Sequence, residues 1–166
     1  MTMGEGVVSN SIEARLHKLG LELPPAAALP HGVVLSYRRL VRHGDVAYLS
    51  GHLPYHGDEL RYVGRVGDDI SVKDAALAAR QAALSMLCTI KDELGSLDAI
   101  SRWLQVTGYV RAVDGFTQQS IVINGFTDLL RSLWGPDKLG ARSAIGVADL
   151  PFGTPVEVEA VAVVRD

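Results

Sequence analysis

Val156-Glu157-Val158-Glu159-Ala160-Val161-Ala162-Val163-Val164 reads as one β-strand whose alternate residues point to alternate faces. Val156, Val158, Ala160 and Ala162 make one apolar row, which belongs against a core. The other row starts with Glu157 and Glu159 and ends with Val161 and Val163. An apolar second face needs cover. In a chain of 166 residues the simplest cover is another copy of itself, so the strand predicts an oligomer.

Working outward, Ile145–Val147 is the preceding strand, joined to 156–164 by a Pro/Gly-rich connection at 151–155. Before it, a helix is predicted from about Thr117 to Trp134, stopped by Gly135-Pro136, and a strand from Trp103 to Val113. Ser71 and Asp74 have capping-box spacing ahead of Ala75, Ala79, Ala82, Met86, Ile90 and Leu94, with Gly95 as the stop. That is the clearest helix in the chain, and its alanines allow close approach to a sheet. Val33–Tyr37 and Val46–Ser50 are predicted to pair as a hairpin around Gly44-Asp45. Residues 55–68, rich in Gly and Asp, read as a loop. Near the start, a short helix over 10–19 is predicted, with Asn10 as cap and Ile12, Leu16 and Leu19 on one face. Leu23–Pro30 is a proline-containing connector. The order β-β-loop-α-β-α-β-β predicts an α/β (α+β) domain: a mixed sheet with two main helices on one face. Residues 1–30 form an N-terminal extension and 31–166 the domain proper.

Composition is that of one ordinary globular domain: 48% hydrophobic and 21% charged residues, net charge -3. The acidic balance speaks against nucleic acid as partner. The one short basic cluster, Arg38, Arg39, Arg42 and His43, reads as a solvated face or an oligomer contact. Cys88, the single cysteine, lies in an apolar helical run and reads as a packed core thiol. No leader-like N-terminus and no apolar run of about 18 residues is present, so a cytoplasmic location without membrane insertion is expected.

Two places could carry chemistry. In Gly140-Ala141-Arg142-Ser143-Ala144-Ile145-Gly146-Val147 an arginine enters an apolar strand after a glycine turn. Its guanidinium either forks onto a carboxylate or snorkels to the surface. Glu157 and Glu159 share a face about 7 Å apart. Either one of them has a raised pKa and moves protons, or both simply face water. His52 and His56 are four apart, but Pro54 between them excludes a helix, and His17, His31 and His43 form no metal-ligand pattern. No metal is expected, and Gly-rich phosphate motifs and a nucleophile elbow are absent.

Several pieces together resemble the RidA/YjgF (Rid) family: Ser50-Gly51-His52-Leu53-Pro54, Ile123-Asn124 at the opening of the second helix, and Ala141-Arg142-Ser143 through Leu150-Pro151 to Val156-Glu157-Val158-Glu159-Ala160. Order and spacing match from about residue 33 to 164. The resemblance implies a chorismate-mutase-like fold, a homotrimer with clefts between subunits, and hydrolysis of reactive enamines or imines to 2-oxo acid and ammonia without metal or organic cofactor. It implies Arg142 as carboxylate clamp, Glu157 orienting or activating water, Tyr37 as a pocket tyrosine, and Asn124 as a cleft residue or a helix cap. Some positions differ from the family pattern. Ala144 stands where deaminating members often have cysteine, His52 replaces the usual glutamine, Gly146 replaces a polar residue, and the N-terminal extension is longer. A non-enzymatic module that binds small carboxylates is the alternative, and endoribonuclease activity, a label the family carries, a third.

Overall fold

In the computed structural model, residues 10–26 and 35–165 are described. A five-stranded sheet has the order β1-β2-β7-β5-β6. Its strands are β1 (Leu40–His43), β2 (Val46–His52), β5 (Ile100–Arg111), β6 (Ala141–Val147) and β7 (Val156–Val164). All neighbours are antiparallel except β5 and β6, which run parallel. A parallel pair needs a crossover, and α3 (Gln119–Trp134) supplies it. α2 (Val72–Leu94) packs beside α3, and both lie on one face of the sheet. α1 (Ile12–Lys18) leans on α3.

The alternation in β7 decides how the layers stack. Val156, Val158, Ala160, Ala162 and Val164 are buried under the helices, while Glu157, Glu159, Val161 and Val163 are half-buried on the open face. Trp103, Met86, Leu87, Ile90 and Phe126 fill the space between sheet and helices with no measurable exposure. Trp103 meets Trp134 edge to face at 5.4 Å, a favourable arrangement for the two ring quadrupoles. The Ser71 hydroxyl accepts the Asp74 N–H at 3.0 Å and so starts α2, and Gly95 ends it at φ 79°. α3 approaches α2 closely because Gly125 carries no side chain: a Cβ there would collide with the Ala76 carbonyl.

Several boundaries differ from the sequence reading. The two-residue turn Gly44-Asp45 is present, but the strand paired with β2 is Leu40–His43 rather than Val33–Tyr37. Residues 35–37 are not strand, and 33–34 lie outside the described residues. A two-residue turn forces pairing to begin at the adjacent residues, whatever the β-propensity further upstream. The 55–68 loop contains a small hairpin, β3 (Tyr55–His56) with β4 (Glu59–Leu60). α1 is capped by Ser11, whose hydroxyl accepts the Ala14 N–H at 3.1 Å, and not by Asn10. β6 starts at Ala141, four residues before the predicted strand. Of the 23–30 connector, residues 23–26 are described and have no regular structure; His31 also lies outside the described residues.

Candidate functional site

Arg142 is the second residue of β6, a strand with one neighbour among the described residues, and pairs with Val106 of β5. Val106 is buried under the helices, so Arg142 points to the helix side. There α3 receives it. Nη1 donates to Asn124 Oδ1 at 2.7 Å and to Thr127 Oγ1 at 2.9 Å. Nη2 donates to Ser120 Oγ at 3.1 Å. Asn124 sits one turn into α3, so it does not cap the helix or open it; Gln119 does the latter. Ser120, Asn124 and Thr127 follow the i, i+4, i+7 spacing that aligns residues on one helix face. That spacing is the sequence signal that would have found Ser120 and Thr127. All the partners are neutral oxygens. The positive charge is fixed in direction yet not neutralised, and Nε takes no partner among the described residues.

Glu157 lies elsewhere. It pairs with Tyr109 of β5, on the open face. Within one chain, therefore, Arg142 and Glu157 are on opposite sides of the sheet and two strands apart. The Glu157 carboxylate rests on Gly51, where a Cβ would overlap it. A bulge in β2 between Leu49 and His52 carries that glycine. Burial, then the neighbouring Glu159 charge, raise the Glu157 pKa above its ordinary value. Glu159 is itself held by the Tyr109 hydroxyl, which donates to Oε1 at 2.9 Å.

Tyr37 is 55% exposed just ahead of β1. The two residues that follow it run along Ser50. The Ser50 hydroxyl donates to the Arg38 carbonyl at 2.8 Å, and the Ser50 N–H to that of Arg39 at 3.0 Å. His52 is buried. Its Nδ1 lies 2.7 Å from the Ser50 carbonyl, which can only accept, so Nδ1 carries the proton. Nε2 then accepts from the Thr89 hydroxyl at 2.9 Å. Burial holds the His52 pKa down at about 4, and the Arg39 charge adds to this. The structure thus brings Arg142 to Asn124, and Glu157 to Gly51. It does not bring these two groups together in one chain. The sequence reading missed Tyr109 and the contact between Gly51 and Glu157, since no spacing along the chain announces a cross-strand neighbour.

The two-layer architecture, with both helices on one face of a mixed sheet, is that of the chorismate-mutase-like α/β class. Residues 30–164 match the family described as Endoribonuclease L-PSP, and the chain belongs to that family, the YjgF/RidA family. Protein TCP17 of Trypanosoma cruzi is 38% identical over 156 residues, covering 93% of this chain and 94% of that one. A crystal structure of an Agrobacterium tumefaciens protein of unknown function superposes with a TM-score of 0.83 at 35% identity, over 93% of this chain and 92% of the other. A "putative endoribonuclease" of Shewanella oneidensis gives 0.85 at 26% identity, over 93% and 99%. No helix among the described residues is long and apolar enough to cross a membrane.

Proposed function

We propose that this chain hydrolyses reactive enamines and imines derived from amino acids, giving 2-oxo acid and ammonia, in clefts between the subunits of a homotrimer. The observation that carries this reading is the state of Arg142. Its guanidinium is oriented by Asn124, Thr127 and Ser120, with no carboxylate among its partners. A fixed, uncompensated guanidinium edge is built for a ligand carboxylate. In the reaction, the oxygen of water attacks the imine carbon. Glu157 takes a proton from that water and hands it to the imine nitrogen, which gives a carbinolamine. The O–H proton of the carbinolamine then passes through Glu157 to the same nitrogen, so that the C–N bond breaks and ammonia leaves as the carbonyl forms. A carboxyl pKa raised by burial and by Glu159 favours such two-way transfer.

The separation of Arg142 and Glu157 supports the trimer. One ligand can meet both only if the Arg142 edge of one subunit faces the Glu157 side of another. Among the described residues, both edge strands, β1 and β6, have a free side. The open face exposes Val41, Tyr48 and Ile145, apolar surface of the sort that subunit contacts cover. The binding-module reading draws on the same Arg142.

The test is ammonia release from 2-imino acids generated in situ by an amino acid oxidase, with wild type, Arg142→Ala and Glu157→Gln. Acceleration by wild type, lost in both variants, is expected; the gain assigned to proton transfer is about 10²–10⁴-fold. Wild type that binds 2-oxo acids but accelerates no imine would replace the hydrolase by the binding module.

A further inference from the structure

We infer that the hollow beside Arg142 is a side-chain pocket that selects carboxylate ligands with a sizeable apolar side chain; this rests on Arg142 as the carboxylate clamp. The hollow measures about 190 Å³ and is lined by Trp103, Val106, Thr127, Leu139, Gly140 and Arg142. Arg142 is the one charged residue of the lining. Trp103 and Val106, both buried, belong to β5 beneath it. Leu139 makes an apolar wall from the connection that leads into β6. The Thr127 hydroxyl is already committed: its oxygen accepts from Arg142 and its proton goes toward the Ile123 carbonyl. A ligand entering here meets a cation at one end and carbon over most of the rest.

Trp103 adds a second observation. Its indole Nε1 is the only buried side-chain nitrogen or oxygen among the described residues that lacks a hydrogen-bond partner. Trp134, edge to face with it, donates its own N–H to the Ile100 carbonyl at 2.9 Å. Well-packed cores seldom leave such a donor unmet; a hydrocarbon side chain in the hollow does not meet it either, so the ring offers the ligand apolar surface and an emission signal, not a hydrogen bond.

Size and chemistry then fix the ligand class. An apolar cavity of about 150 Å³ is large enough for benzene. The hollow therefore accepts side chains of branched aliphatic to phenyl size and leaves a methyl group loose. A second carboxylate inside it would lose its hydration with no further cation to meet. The ligands that fit are 2-imino and 2-oxo acids of the leucine, isoleucine and phenylalanine type, ahead of alanine-type and aspartate-type ones.

Two measurements decide this. In the ammonia-release assay, kcat/KM for the leucine-derived imine should exceed that for the alanine-derived imine by about 30-fold or more, since each methylene in a fitted pocket contributes about 10-fold or better. Leu139→Phe, which fills the hollow, should cut that ratio at least about tenfold. Equal kcat/KM for both imines in wild type would overturn the pocket while leaving the hydrolase intact. If no imine is hydrolysed, the hydrolase reading fails and binding decides. Titration of the Trp134→Phe protein, in which Trp103 is the remaining tryptophan, should show 4-methyl-2-oxopentanoate binding at least about tenfold tighter than pyruvate and altering Trp103 emission. Equal affinities, or no change in emission, would overturn the inference there too.

Discussion

Replacing His52 with Gln should flatten the pH dependence of stability between pH 7 and pH 5. The buried ring is neutral, donating to the Ser50 carbonyl and accepting from Thr89. Burial keeps its pKa at about 4, against an ordinary 6.5. In the unfolded chain the ring takes up a proton below 6.5; in the folded chain it resists until about 4. Its folded pKa is the lower of the two, so it favours folding fully above about pH 6.5. That advantage is lost as pH falls toward 4. At about 1.36 kcal/mol per unit, the full span comes to about 3 kcal/mol, of which about 2 kcal/mol falls between pH 7 and pH 5. Gln can offer an N–H to Ser50 and an oxygen to Thr89, so the variant retains the bonds and loses the titration. Urea unfolding followed by tryptophan fluorescence, at fixed protomer concentration, measures the difference. Wild type should lose about 2 kcal/mol more than His52→Gln on going from pH 7 to pH 5. Carboxylates such as Glu157 titrate in both proteins and cancel. Parallel losses in the two proteins would refute the buried neutral imidazole.

Glu13 gives a second, lower window. Burial alone would raise its pKa, but the Leu97 N–H and Lys91 outweigh that and hold the carboxyl at about 2. A depressed carboxyl pKa favours folding above the unfolded value and loses that effect as pH falls toward 2. After allowance for the exposure of both partners, Glu13→Gln should cost about 1–2 kcal/mol at pH 7, or about 3–6 °C in Tm. The gap should close near pH 2; a gap that persists there would contradict the assignment. Cys88 is buried, and burial followed by the Asp92 charge pushes its pKa up to about 11. The native protein should therefore leave a thiol reagent unreacted at pH 8 on a timescale where the urea-unfolded chain reacts fully. Prompt reaction of the native protein would show that the thiol is reachable.

Where local chemistry and packing agreed, the sequence was readable. Ser71 and Gly95 bracket α2 because a cap and a left-handed stop are local events, and β7 shows its two faces because both rows lie in nine consecutive residues. β1 was missed because only Leu40 of its four residues is buried, so no alternation marks it. The short hairpin at 55–60 has two residues per strand, too few to show a period. Arg142 and Glu157 were each legible as candidates. Their placement on opposite faces was not, because alternation within a strand fixes its two faces only relative to each other. Which face of β6 matches which face of β7 depends on pairing through β5.

The bulge in β2 has a consequence for how this chain tolerates deletion. Three residues run from Leu49 to His52 while the partner strand advances two, from Ala160 to Val158. Removing Gly51 would restore regular pairing, and with it a straighter strand. It would also take away the bare backbone on which the Glu157 carboxylate rests. A screen for folded, thermally robust protein would accept that shortened chain and never register what had gone. The surplus residue is useless to the sheet, and only a screen for chemistry would detect its loss.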